Sequence, residues 1–169
     1  NFDSTVAFAL DHPDGWPEHM RKEVWGLFID YLVNSNKKVA HHLGFELEWL
    51  CHKIDKSLAY STEWADTMLM SHTLDERKGV NNLDDQCRQH LGFFLKDQSK
   101  VDVKRIMEFP LESNNKKNSV LIYNGMDAKW TDKLYTTLNP LIYENKKYAR
   151  EYERKLRLEP TLVLTQIQG

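Results

Sequence analysis

The chain has 169 residues, 41% hydrophobic and 28% charged, and Lys+Arg 23 against Asp+Glu 25 leaves a net charge of -2. That length and composition predict one domain with a core of its own, residues 1–169, and a mean hydropathy of -0.62 with no long apolar run excludes a membrane-spanning helix. The near-neutral balance lacks the general attraction to phosphate backbones that a basic nucleic-acid binder relies on, so only a local basic face could bind nucleic acid.

Residues 1–16 read as an irregular lead-in, dense in turn formers from Asp11 to Pro17. Pro17 suits a helix start, and from Glu18 to Asn34 the apolar residues Met20, Val24, Leu27, Phe28, Tyr31 and Leu32 recur at steps of three and four. This predicts a largely buried helix, and the short turn Asn34-Ser35-Asn36 predicts an antiparallel helical neighbour after it.

That neighbour is expected to be one continuous helix from Lys38 to Tyr60, around which the rest packs. Val39, Leu43, Leu47, Leu50, Ile54 and Leu58 mark its core face, Phe45 and Trp49 an aromatic edge, and His41, Glu48, His52 and Asp55 a polar row. A short helix capped by Ser61 or Thr62 follows through Trp64 and Met68 to Thr73, then a charged loop from Leu74 to Val80. Asn82 with Asp85 reads as a helix N-cap for a segment through Cys87 and Leu91 to Phe94-Leu95.

Ser99 to Glu108 fits a helix or a strand, and Ser113 to Ser119 reads as an exposed loop open to proteolysis. Val120 to Tyr123 is a strand candidate. Asp127 to Leu138 predicts a short helix ended by Asn139-Pro140, which then opens a final helix to Leu158. The β-branched tail, residues 161–169, reads as extended and as a partner for Val120 to Tyr123. The resulting fold class is mainly α: a helical bundle of about five to seven helices with at most a small two-stranded β element.

Chemistry is sparse in the sequence. No His-Glu-x-x-His, Gly-x-Ser-x-Gly, phosphate-loop or dinucleotide motif is present, so no cofactor is expected. Glu48 and His52, four apart on a helix, are the metal candidates that one helix could bring together, with His72, His90 or Asp66 as partners from other helices; an ion pair on a solvated stripe is the plainer reading. Cys51 and Cys87 are too few for a disulfide scaffold and read as buried apolar thiols.

On the last helix Arg150 and Arg154 gather with Lys146 and Arg157 beside Tyr143, a face for an acidic partner that Glu144, Glu151 and Glu153 dilute. Phe45 and Trp49 are each worth about 1.5 to 3 kcal/mol when covered, so either another helix or a partner covers them. The expected function is a non-enzymatic protein-interaction domain meeting a protein partner through Phe45, Trp49, Tyr143, Arg150 and Arg154. Two alternatives stand beside it: a small enzyme drawing histidine and acidic residues from different helices, with or without a metal, and RNA binding by the last helix. No glycosylation acceptor and no signal segment occur, which predicts an intracellular, cytoplasmic setting. A start at Asn1 instead of Met suggests a processed product or one piece of a longer protein.

Overall fold

The computed structural model describes residues 4–60, 63–92, 110–111 and 119–168. Among them six α-helices surround a two-stranded parallel sheet, the mainly helical architecture that the periodicity predicts. After an irregular lead-in, α1 runs Glu18–Asn34. Its apolar stripe is only half used: Val24 and Leu32 are buried, whereas Leu27 and Tyr31 are 65% and 64% exposed. The chain leaves α1 extended at Ser35 and enters a strand, so the antiparallel helix expected beside it does not form. The inner aromatic side fastens α1 instead, with Trp25 stacked on Trp49 at 6.0 Å and Phe28 edge-on to Phe8 at 6.2 Å.

The continuous helix expected from Lys38 to Tyr60 is three elements: β1 (Lys37–Ala40), α2 (Leu43–Lys53) and a 3-10 turn (Lys56–Ala59). Between the first two, His42 adopts φ 84, a left-handed conformation that no helix interior accepts. Val39 happens to fall on the helical stripe, but Lys38 and Ala40 are the buried positions of an alternating strand. That strand pairs in parallel with β2 (Glu63–Asp66), Ala40 opposite Asp66, and α2 supplies the crossover that parallel pairing requires. Within α2 the expected core face holds, with Leu43, Leu47 and Leu50 buried.

β2 occupies the place expected for the start of a short helix, which begins only beyond it as α3 (Thr67–Leu74). The Ser61 or Thr62 cap lies outside the described residues. Next, α4 (Leu83–Leu91) starts at the predicted Asn82 cap and stops at Gly92, whose φ of 79 suits glycine. The readings at Phe94-Leu95, Ser99 to Glu108 and residues 113–118 also lie outside the described residues.

Val120 to Tyr123 is not a strand but the first turn of α5 (Val120–Tyr143), capped by Ser119. Nor does Asn139-Pro140 divide that helix, because the buried stripe Leu134, Leu138 and Ile142 runs straight across the proline. Burial of that stripe outweighs the roughly 3 kcal/mol that an internal proline costs. The tail expected as a strand belongs to α6 (Lys146–Gln168). Its Leu156, Val163 and Ile167 share a face that packs on Ala40, Leu43, Leu47 and Cys51, so helical spacing overrides β-branched composition. A second cluster, on the other side, joins Ala65 and Met70 to Leu134, Leu138, Ile142 and Tyr152.

Candidate functional site

Both strands end at one place. Ala40 leads through His41 and His42 into α2, and Asp66 leads directly into α3, so two helix N-termini converge beyond the carboxyl ends of two parallel strands. Folds of strand and helix put ligand sites at that position, because chain reversal opens a crevice and helix N-termini carry partial positive charge. Here the charge is partly answered from within. Asp66, 1% exposed, accepts from four backbone N–H groups: His42 at 3.2 Å, Leu43 at 2.8 Å, Met68 at 2.7 Å and Leu69 at 3.3 Å. Its own N–H donates to the Tyr152 hydroxyl at 3.0 Å. Asp66 is therefore the pin that holds α2 and α3 together.

Beside the pin lies a cavity of about 530 Å³ whose wall includes His41, Glu46, Trp64, Asn124 and Asp127. The Thr67 hydroxyl donates its single proton to the Ala40 carbonyl at 3.1 Å, so its contact of 2.9 Å with His41 assigns the ring proton to Nδ1. Nε2 of His41 is buried without a hydrogen bond. Burial lowers the His41 pKa, against the Asp66 charge and the Asn81 backbone, and keeps the ring neutral near pH 7.

The two carboxyl groups of the wall shift the other way. Burial pushes Asp127 up to about 6, although a hydrogen bond with Tyr123, one turn earlier on α5, pulls it down. Tyr123 in turn is pushed up to about 12, by burial first and by the Asp127 charge second. Glu46, in the first turn of α2, is raised by desolvation, with His42 opposing and Asp66 adding to the shift. From α6, Glu159 joins the same field: burial and Asp66 raise it, and Gly44 leaves the room it occupies, since a Cβ there would lie 3.0 Å from Glu159 Oε2.

A second cavity, of about 620 Å³, shares Glu46 and Asn124 with the first and is walled by Phe8, Phe28, Phe45 and Trp49. His12 also lines it, 8% exposed. Nδ1 of His12 accepts from the Asp14 N–H at 3.2 Å, which places the proton of the neutral ring on Nε2, a buried donor with no partner.

Of the residues expected to meet a partner, Phe45 and Trp49 do share this aromatic wall. Phe45 is 59% exposed, while Trp49 is covered on one side by Trp25. Tyr143 stands elsewhere, edge-on to Tyr152 at 6.3 Å beside a hollow of about 390 Å³. Arg150 is exposed on α6, and Arg154 is bonded to Glu151 at 2.8 Å. The metal candidates do not gather: Glu48 and His52 are exposed on α2, His72 meets Lys155 at 3.2 Å, and His90 is half-buried on α4 with its pKa lowered by burial. Among the described residues no three His, Cys, Asp or Glu side chains form a group that could hold a metal ion.

Sequence reasoning missed His12 and Asp127, considered Asp66 only as a distant partner for a metal site, and placed His41 on a solvated stripe. The signal for His41 was weak, an alternation over Lys37–Ala40 alone, and Asp66 had none of that kind, because Glu63–Asp66 buries Ala65 and Asp66 in succession. Asp127 gave none, because its environment is assembled by α2, α4 and α5. No protein-family model matches the chain, and no curated protein matches it. No helix among the described residues is long and apolar enough to cross a membrane.

Proposed function

We propose that the cavity at the strand ends is the active site of a small acid–base enzyme, with Asp127 as the proton-transferring group and Glu46 as the second carboxylate. The observation that carries this reading is a carboxyl group held near 6 in the wall of a cavity of about 530 Å³. A proton carrier works best when its pKa lies near the operating pH, and cavities of 300–1,000 Å³ are the size of small-molecule sites. Tyr123 fixes the Asp127 carboxyl, while His41, neutral and tied to Thr67, positions the end of β1. His41, half-buried at the end of β1, stands outside the helical row of α2 that carries the exposed Glu48 and His52.

The test is a panel of generic substrates for hydrolysis, isomerisation and elimination, assayed from pH 5 to 8. Replacing Asp127 with Asn should lower any turnover found by about 10² to 10⁴ with the circular-dichroism spectrum unchanged. Turnover that survives this replacement sinks the assignment. The exposure of Phe45 favours a second reading, a protein-interaction edge. Under that reading Phe45→Ser abolishes partner capture while Asp127→Asn leaves it intact.

A further inference from the structure

We propose that the joined cavities bind an amphiphilic organic amine, its apolar group among Phe8, Phe28, Phe45 and Trp49 and its ammonium beside Glu46 and Asp127. This rests on the reading of the strand-end cavity as a small-molecule site and adds the class of ligand.

Three observations carry it. The two cavities share Glu46 and Asn124, so one ligand of ordinary size reaches from the aromatic chamber to the carboxyl pair. Aromatic rings offer both apolar contact and an attractive face to a cation, the combination by which ammonium groups are recognised. Among the described residues the charge in the cleft is mostly of one sign: Glu46 and Asp127 line it, the Asp66 charge acts on Glu46, and the one lysine of the described wall, Lys53, is engaged with Asp11 at 3.9 Å. A carboxylate ligand would add repulsion there, whereas an ammonium is attracted to the charges of Glu46 and Asp127.

Binding of an ammonium should depend on pH through the groups facing Asp127. These are Tyr123 on its own helix, Cys87 on α4 with Asp84 acting on it from the same helix, Glu46 on α2 and His41 at the end of β1. Cys87 and Tyr123 stay protonated across the accessible range because their pKa values are raised, and His41 stays neutral down to below its ordinary value. Asp127 and Glu46 therefore set the profile, losing charge as pH falls.

The experiment is calorimetric titration of the chain with three isosteric probes: phenethylamine, 2-phenylethanol and 3-phenylpropionate. Expected are saturable binding of the amine at pH 7.5, at least tenfold weaker binding of the alcohol, and no measurable binding of the acid. Amine affinity should fall at least tenfold between pH 7.5 and 5. Phe45→Ser and Asp127→Asn should each weaken it at least fivefold with unchanged circular dichroism. An amine that binds no better than the alcohol, or that is indifferent to both replacements, overturns the ligand class. Carboxyl NMR titration separates this from the reading beneath it. Asp127 titrating near 6 with no amine binding leaves the acid–base site standing without this ligand. Amine binding that Asp127→Asn weakens, in a chain whose Asp127 titrates as an ordinary carboxyl, leaves the ligand site standing without acid–base function.

Discussion

His42 is the sole non-glycine residue with positive φ among those described, and it sits where β1 hands over to α2. Its ring stacks on Phe45 at 6.3 Å, and its charge opposes the raised pKa values of both Glu46 and Glu159. A left-handed L-residue costs about 1 kcal/mol, and strain of this kind persists where the surroundings impose it. Comparing two variants that both lack the imidazole isolates the backbone term: His42→Gly should be more stable than His42→Ala by about 1 kcal/mol in urea denaturation. Equal stabilities would mean that the φ carries no strain. Asp127 gives the complementary prediction in pH. Its folded pKa of about 6 lies above the ordinary 3.8, so the folded state holds a proton that the unfolded state has released. Stability from this group is intact below about pH 4 and is lost as pH rises through 6. Asp127→Asn should then match the parent at pH 4 and exceed it in thermal midpoint at pH 8; a constant difference across that range would assign the effect to packing.

At the scale of elements, Asp66 does the work of two N-caps, serving α2 through His42 and Leu43 and α3 through Met68 and Leu69. Asp66→Ala orphans all four donors and should cost about 2 to 4 kcal/mol, with Asp66→Asn costing less because one carbonyl oxygen remains. A loss under 1 kcal/mol for the alanine variant would show that water replaces the carboxylate without penalty.

How much was legible in the sequence follows from the same distinction between local and distant causes. The bounds of α1, the Asn82 cap of α4 and the core face Leu43, Leu47 and Leu50 are local signals, and all three hold. The strands were hidden because Val39 fell by coincidence on a four-residue stripe and because β1 owes its existence to β2, more than twenty positions away. Pro140 and the β-branched tail read as breaks, yet both are carried through by packing against α2, α3 and the sheet. The site was least legible of all. Its carboxyl groups are ordinary residues made unusual by burial, and burial has no pattern along one segment.

On the scale of the whole molecule the chain holds two apolar clusters, one on each side of the small sheet. Ala40, α2 and the C-terminal half of α6 form the first; Ala65, α3, α5 and Tyr152 form the second, and Leu156 of α6 packs against both. The cavity walled by Glu46 and Asp127 opens between α2 and α5, and Leu27 and Tyr31, exposed on α1, do not line it.

The two thiols fall one on either side of this arrangement. Cys51 belongs to the first cluster, and Cys87, fully buried, lies on α4 against α5; burial holds the one above the usual thiol range and pushes the other up to about 11. Neither is a reactive thiolate at neutral pH in the closed molecule. A chromogenic disulfide reagent will thus record breathing of the fold as a clock with two hands, each ticking only when its own half parts. Mass spectrometry of the modified peptides would time them separately, and equal rates at every denaturant concentration would mean that the halves open as one.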